Sequence, residues 1–320
     1  MYWFFWIFFI VLFSSCSPEE KNYNIAALLS GEGRIEKVKG FEKGLKDLGI
    51  KNYKIQLFMG DNSLKTLYKL AKEILRNSEK FDLVITGGSL EAFVLKKENV
   101  NNYLPIVILG GTSIKAWGLT QSFSRPTENI TGIDNLNAEL MEKRIELFSQ
   151  LFPNIKKVIV FCTPRFQASK RAAKITIEAG RKYGIKVVPL YVKDVRELEY
   201  VISHMKEDGF GAIIMTPCYY TDNFLTHYIL HYASFYKIPV FCHGVEFVRK
   251  GCPVGYGTSG FKQGYQAAIL AYRILKGIPV ELVPFERAYS PKLVLNEKAL
   301  YDLDIDFNKR FMVMVDEVIK

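Results

Sequence analysis

The chain has 320 residues, of which 49% are hydrophobic and 24% are charged, and its formal net charge is +10 at pH 7. This composition is typical of a globular protein and excludes a disordered chain. The length allows two lobes with separate hydrophobic cores. Because the lysines and arginines are spread along amphipathic segments, we expect a solvated basic surface with some attraction to anionic lipid headgroups, and no nucleic-acid partner.

The chain begins with an apolar run over residues 2–13, which two serines separate from Cys16. Twelve apolar residues make about 18 Å of helix, which is shorter than the roughly 30 Å hydrocarbon core of a bilayer. This length suits the hydrophobic segment of a secretory signal. We therefore predict export, a signal peptide over residues 1–15 and a polar tether over residues 16–24. A plain secretory signal and an unprocessed amino-terminal anchor are the alternatives.

From residue 25 onward, short β-branched runs alternate with segments of helical periodicity, which predicts repeated βα units and a parallel, doubly wound sheet. Strands such as LVIT and IVIL are continuously apolar, as is typical of sheets covered on both faces. The helix over residues 64–75 places leucines on one face and lysines opposite. The strands predicted here are 25–29, 53–59, 83–86 and 106–109, and the helices are 36–48, 64–75 and 90–97.

A second βα series follows a connection at residues 126–134 (PTENITGID), which is rich in turn-forming residues. Two successive series predict two similar lobes. The strands predicted in the second series are 158–161, 187–192, 212–215 and 240–242, and the helices are 171–183, 195–207 and 223–236.

Three glycines in GYGTSGFKQG, namely Gly255, Gly257 and Gly260, fit the GxGxxG pattern of dinucleotide-binding proteins. That fingerprint requires an apolar strand directly before the first glycine, whereas RKGCPV precedes it here. We therefore interpret this segment as a glycine-rich passage between the lobes, where unusual backbone angles let the chain bend.

The cysteines and histidines leave two questions open. Cys162, Cys218, Cys242 and Cys252 allow two disulfides in three connectivities, or buried free thiols. His227 and His231 lie four residues apart on a helix, and a metal site built from them would need Cys218, Cys242 and His243 nearby. No acidic residue is interleaved with this pair. We predict no metal, no cofactor and no catalysis, since GxSxG, GxxxxGK[ST] and HExxH motifs are absent.

Ligands of open parallel sheets bind beyond the carboxyl ends of the strands, and this rule selects the candidate residues. Hydroxyl groups at helix starts donate to a carboxylate, although helix N-capping explains them equally well. An arginine can bind a carboxylate, acidic residues can bind an ammonium group, and aromatic rings can stack on a ligand. Surface exposure and core packing are the alternatives for these. The predicted ligand-binding residues are Arg34, Ser89, Thr112, Ser113, Phe166, Gln167, Tyr219, Tyr220, Asp222 and Glu246.

Three blocks of sequence, residues 41–49 (FEKGLKDLG), 104–160 and 255–305, resemble the solute-binding proteins of ABC transporters, specifically the group that includes tryptophan and tyrosine binders. The resemblance implies a type I periplasmic-binding protein fold: two doubly wound parallel-sheet α/β lobes joined by a three-crossing hinge. The implied crossings lie near residues 129–132, 257–260 and 285–288. The implied N-terminal lobe is 25–131 plus 259–286, and the implied C-terminal lobe is 132–258 plus 287–320.

The resemblance also implies a function. It predicts a monomeric, extracytoplasmic lipoprotein, lipidated at Cys16, that delivers a small polar solute to ABC permease and ATPase subunits. An amino acid or aromatic amino acid is the expected solute, bound by closure of the lobes. Ile114 and Lys115 replace the family's usual Asp-Pro pair in a loop expected to face the cleft, whereas Glu246 matches an acidic position of the family. A ligand-sensing module that reports to a membrane signalling partner is the alternative function.

Overall fold

A computed structural model describes residues 21–98, 104–126, 128–163 and 166–320. The predicted signal peptide, the predicted lipidation site Cys16 and most of the tether lie outside the described residues. Within these ranges, no helix is both long and apolar enough to cross a bilayer. The helices and strands form two α/β lobes, each built around one sheet.

The first lobe contains the first series of βα units and two later segments of the chain. Its elements are β1 (Tyr23–Leu29), α1 (Ile35–Asp47), β2 (Tyr53–Met59), α2 (Leu64–Arg76), β3 (Leu83–Thr86), α3 (Ser89–Glu98), β4 (Ile106–Gly111), β5 (Ile130–Asp134), α9 (Gly260–Leu275) and β11 (Glu286–Arg287). The strands form a six-stranded sheet in the order β11-β5-β4-β3-β1-β2, and every strand pair in it is parallel. The bounds of β2 and β3 coincide with the strands expected from the sequence.

The second lobe contains the second series and the end of the chain. Its elements are α4 (Met141–Leu151), β6 (Lys157–Phe161), α5 (Gln167–Lys182), β7 (Lys186–Leu190), α6 (Val195–His204), β8 (Ala212–Ile214), α7 (Thr226–Phe235), β9 (Val240–Cys242), α8 (Val245–Val248), β10 (Val254–Gly257), β12 (Lys292–Asn296), α10 (Glu297–Tyr301) and β13 (Glu317–Ile319). Its seven strands run β13-β12-β10-β9-β8-β6-β7, and only the β10–β12 pair is antiparallel.

Strand β1 shows why the apolar runs are continuous. Ile25, Ala27 and Leu29 pack in one core cluster with α1 and α9, while Ala26 and Leu28 pack in another with α2 and α3. Because successive side chains of a strand point to opposite faces, a sheet covered on both sides needs apolar residues at every position. The second sheet likewise separates two core clusters. The predicted fold class is therefore confirmed.

The chain passes between the two sheets three times: after β5, between β10 and α9, and between β11 and β12. Strand β5 pairs in the first sheet as far as Asp134, and β11 as far as Arg287. The first passage thus begins after the range 129–132 expected from the sequence, whereas the third begins within the expected range 285–288. Gly257 ends β10 and Gly260 begins α9, so the GxGxxG segment is the second passage.

Cys242 and Cys252 form a disulfide, while Cys162 and Cys218 are free thiols. The disulfide closes the segment that contains α8 and therefore constrains His243 and Glu246. His227 and His231 lie exposed on α7. In the described part of the chain, no group of three or more histidine, cysteine, aspartate or glutamate residues is arranged to hold a metal ion.

Candidate functional site

A cavity of about 170 Å³ lies between the lobes, at the carboxyl ends of the strands. It is far larger than the roughly 10–15 Å³ that one water molecule requires. Its walls contain three basic residues (Arg34, Lys37 and Lys250) and three acidic ones (Glu36, Asp222 and Glu246). Because groups of both signs line it, the cavity suits a zwitterionic or neutral polar solute better than a multiply charged one.

Seven of the ten predicted ligand-binding residues line this cavity, and two others lie elsewhere. Ser113 is buried behind the loop after β4, where its carbonyl accepts the amide of Trp117 at 3.2 Å. Tyr220 donates its hydroxyl to the carbonyl of Lys193 at 2.9 Å, away from the cavity. The side chain of Gln167 lies outside the described part of the structure. The lining residues among the ten are Arg34, Ser89, Thr112, Phe166, Tyr219, Asp222 and Glu246.

Arg34 is paired with a buried carboxylate that sequence reasoning missed. Its Nε lies 3.4 Å from Oε1 of Glu91, which is fully buried and also accepts the amide of Ser30 at 3.0 Å. Burial raises the pKa of Glu91, but the charge of Arg34 and the hydrogen bonds from Ser30 outweigh it and hold that pKa below its usual value. This pair fixes Arg34 at the first-lobe wall. A glutamate amid the apolar residues of SLEAFVL was the available signal.

Lys37 is the second residue that the sequence did not reveal. Its ammonium donates to the carbonyls of Gly87 at 2.7 Å and Gly110 at 2.6 Å, at the ends of β3 and β4. Burial, followed by the charge of Arg34, lowers the pKa of Lys37 to about 7. Three carboxylates, those of Glu91, Glu246 and Asp222, act in the opposite direction. Lys37 lies on α1, and sequence reasoning provided only the general expectation that the basic residues are solvated.

The paired glycines at the ends of β3 and β4 make room for the side chains of Arg34 and Gln263. A Cβ atom on Gly87 would lie 2.7 Å from Cγ of Arg34, and one on Gly110 would lie 1.9 Å from Oε1 of Gln263. The hydroxyls that follow the glycines join neighbouring strands. Ser89 donates to the carbonyl of Thr112 at 2.9 Å. The GGS and GGTS segments therefore keep polar groups close-packed along the first-lobe wall of the cavity.

The loop after β4 differs from expectation at the two positions where the chain departs from the family's Asp-Pro pair. Ile114 is fully buried in the core of the first lobe. The ammonium of Lys115 lies 5.2 Å from the ring centroid of Phe123. Neither residue lines the cavity, so the expectation that this part of the loop faces the cleft is wrong. Thr112 and Trp117, at either end of the loop, do line it.

The second-lobe wall carries Asp222 and His243. Nε2 of His243 lies 3.4 Å from Oδ1 of Asp222, but without the geometry of a hydrogen bond. Both Oδ1 of Asp222 and Nδ1 of His243 are buried and have no partner among the described residues. A buried polar atom left unpaired costs about 1–3 kcal/mol. The second-lobe wall therefore carries a carboxylate, that of Asp222, that is not fully satisfied by hydrogen bonds from the described residues.

Arg144 fixes the backbone beneath this wall. It is fully buried, and it donates to the carbonyls of His243 at 2.9 Å and Tyr256 at 2.8 Å. It also donates to Asn137, in the passage after β5. Burial lowers the pKa of Arg144 to about 9. Its hydrogen bonds join two of the three interlobe passages to the end of β9.

Aromatic rings connect the lobes across the cavity. The ring centroid of Trp117 in the first lobe lies 6.2 Å from that of Phe166 in the second lobe. The ring centroid of Phe166 lies 5.5 Å from that of Tyr219. Phe166 and Tyr219 pack against the first-lobe core. Burial, followed by the charge of Glu91, raises the pKa of Tyr219 to about 12, so its hydroxyl stays protonated. These three rings form an aromatic wall.

Two α/β lobes, three passages between them and a polar interlobe cavity are the architecture of a two-lobed solute-binding protein. The family model for ABC transporter substrate binding proteins matches residues 22–319, and the chain belongs to that family. The resemblance inferred from the sequence is thus confirmed. Proteins of this family act outside the cytoplasm, bind small molecules for transporters and catalyse no reaction.

Among curated relatives, the chain is 25% identical over 299 residues to a tyrosine-binding protein of Clostridioides difficile (strain R20291), covering 90% of this chain and 82% of that one. A structure from Streptococcus pneumonia in complex with L-Trp has a TM-score of 0.84 at 20% identity, covering 93% of this chain and 100% of the other. A ligand-free, open substrate binding protein from Clostridium difficile has a TM-score of 0.66 at 21% identity, with 93% and 99% coverage.

Proposed function

We propose that this protein is the extracytoplasmic solute-binding lipoprotein of an ABC importer, and that it binds an aromatic amino acid between its lobes. The cavity carries this proposal, because it combines ionic groups of both signs with an aromatic wall. Arg34 and Lys37 face the carboxylate of the solute from the first lobe. A carboxylate of the second lobe faces its ammonium group, and Trp117, Phe166 and Tyr219 surround its side chain.

The arrangement of the lobes supports a mechanism of closure. The structure matches the L-Trp complex with a higher TM-score than the open, ligand-free relative, although the two sequences are about equally distant from this chain. A solute that touches both walls binds the closed form more tightly than the open form and shifts the population towards it. The permease and ATPase then receive the solute from the closed protein.

The lipoprotein part of the proposal depends on Cys16 and on the short segment that follows it. Strand β1 begins at Tyr23, so a lipid on Cys16 would hold the first lobe close to the membrane. Mass spectrometry of the protein from the membrane fraction tests this part. We expect a diacylated amino-terminal Cys16, and a Cys16→Ser variant released into the soluble fraction. An unmodified Cys16 in the membrane fraction would contradict it.

The solute is tested by thermal melting of the purified protein with L-tryptophan, L-tyrosine, L-phenylalanine and a panel of sugars and nucleosides. A ligand at a hundred times its dissociation constant adds about 2.7 kcal/mol to the free energy of unfolding. We expect a clear increase in Tm with at least one aromatic amino acid. A shift with sugars alone, or with no compound, would contradict the proposal.

A further inference from the structure

Two acidic residues of the second lobe line the cavity, and the structure distinguishes their roles. Resting on the proposed function, we infer that Asp222 binds the ammonium group of the solute, that His243 positions Asp222, and that Glu246 is committed to an interlobe contact. The sequence alone had suggested Asp222 and Glu246 equally. We therefore expect a solute that carries a primary amine, and not an aromatic acid that lacks one.

Glu246 already has a partner in the first lobe. Its Oε1 accepts the amide of Gly260 at 2.5 Å. Gly260 is the first residue of α9, a helix of 16 residues whose amino terminus carries a partial positive charge. The charge of Lys37 also acts on this carboxylate from the first lobe. Glu246 therefore stabilises the closed arrangement of the lobes, whatever solute is bound.

Among the described residues, no first-lobe group donates a comparable hydrogen bond to Oδ1 of Asp222. It lies in a π-helical turn, Thr221–Leu225, where its amide donates to the carbonyl of Cys218 at 2.8 Å. Its side chain is 19% exposed and lines the cavity, and its buried Oδ1 accepts no hydrogen bond within the described ranges. A carboxylate held in this way requires a donor, and an ammonium group supplies up to three donors and the complementary charge.

His243 holds Asp222 in place from behind. Its side chain is only 4% exposed, and its Nε2 lies 3.4 Å from Oδ1 of Asp222. Arg144 fixes its carbonyl, and the ring of Phe247 lies 5.0 Å from the imidazole ring. The backbone hydrogen bond, the burial of the side chain and the Phe247 ring together keep the imidazole beside the carboxylate. His243 acts on the solute through Asp222, which makes it a positioning residue.

The inference is tested with paired probes that differ only in the amine: L-tyrosine against 3-(4-hydroxyphenyl)propionate, and L-tryptophan against indole-3-propionate. Isothermal titration calorimetry gives the affinity ratio within each pair. For wild-type protein we expect the amino acid to bind at least a hundredfold more tightly than its deaminated analogue. Asp222→Asn, which keeps the shape of the side chain, should reduce that ratio at least tenfold by weakening only the amino acid.

Glu246→Gln is the matched control. It should weaken the binding of both probes of a pair by the same factor and leave their affinity ratio within twofold of wild type. The reason is that the Glu246 charge stabilises the closed form, which both probes require. His243→Ala should reduce the ratio in the same direction as Asp222→Asn but less, whereas a merely structural residue would not change it. Unaltered far-ultraviolet circular dichroism and ligand-free melting would show that each variant is folded.

Two results would overturn the inference: an unchanged ratio in Asp222→Asn, or a ratio that falls in Glu246→Gln and not in Asp222→Asn. Equal binding of both probes to the wild-type protein would also overturn it, while leaving aromatic binding in the cleft intact. Failure of every aromatic probe to bind the wild-type protein would contradict the proposed function, and the inference with it.

Discussion

Lys37 shows how much the environment changes a single side chain. On a solvated helix its ammonium would stay charged across the physiological range, but here burial lowers its pKa from 10.5 to about 7. Two strand-end carbonyls replace part of its lost hydration. Periodicity predicts α1 correctly as an amphipathic helix, yet it cannot show that α9 and the strand ends cover this lysine. Glu91 on α3 was not predicted for the same reason.

The depressed pKa of Lys37 leads to a prediction about pH. Between pH 7 and about 10 the unfolded chain binds a proton at this lysine that the folded chain has lost, so the free energy of unfolding should rise with pH. One group contributes a slope of at most about 1.4 kcal/mol per pH unit. Urea denaturation across this range should show a flatter pH dependence for Lys37→Met than for wild type.

Lys39→Met is the control for this experiment, because Lys39 is largely exposed and its pairing with Glu36 is on the surface. We expect its stability curve to run parallel to that of wild type. Parallel curves for Lys37→Met as well would show that Lys37 keeps its charge in the folded state.

At the scale of elements, α1 and α9 approach each other so closely that their backbones nearly touch. A Cβ on Gly264 would lie 1.8 Å from the carbonyl oxygen of Lys37, and one on Gly40 would lie 1.9 Å from that of Phe261. Only glycine permits this approach. The contact matters for the cavity because it sets the position of Lys37 and of the α9 amino terminus that Glu246 contacts.

We predict that Gly264→Ala pushes the two helices apart. Overpacking of this kind costs about 1–3 kcal/mol, so urea denaturation should show a lower midpoint, and affinity for the solute should fall with it. Gly33→Ala is the control for the denaturation midpoint, since the nearest atom to its Cβ lies 4.0 Å away. Its affinity for the solute is not compared, because Gly33 lines the cavity. An unchanged midpoint for Gly264→Ala would mean that the helices are less closely packed than the structure shows.

At the scale of the whole molecule, the aromatic wall and Glu246 hold the lobes together across a solute-sized space. We predict that the solute-free protein samples a more open arrangement in solution, and that an aromatic amino acid closes it. Small-angle X-ray scattering should show a smaller radius of gyration with L-tyrosine or L-tryptophan. Trp117→Ala should weaken this response, because it removes the first-lobe ring of the interlobe contact.

Phe235→Ala is the control for that variant, since Phe235 is 71% exposed on α7 and does not line the cavity. It should close as the wild type does. An identical radius of gyration with and without a ligand that demonstrably binds would contradict closure and indicate a rigid cleft.

The sequence alone determined those properties that depend on residues close together in the chain. Strands such as β2 and β3, the amphipathic helices and the repetition of βα units are properties of consecutive residues, so periodicity and composition predict them. Seven of the ten predicted site residues line the cavity because strand ends meet at one edge of a parallel sheet. Topology therefore led from the sequence to the loops that line the cavity, and ligand binding by them stays a prediction.

Tertiary structure alone decided the roles within those loops. Glu91 meets Ser30, 61 residues away in the chain, and Lys37 meets Gly110, 73 residues away. The amide of Gly260 donates a hydrogen bond to Glu246, whereas Asp222 lines the cavity and its Oδ1 accepts no hydrogen bond in the described structure. Burial and pairing depend on atoms that only folding brings together, and burial and pairing determine whether a charged group stabilises the lobes or is available to a solute.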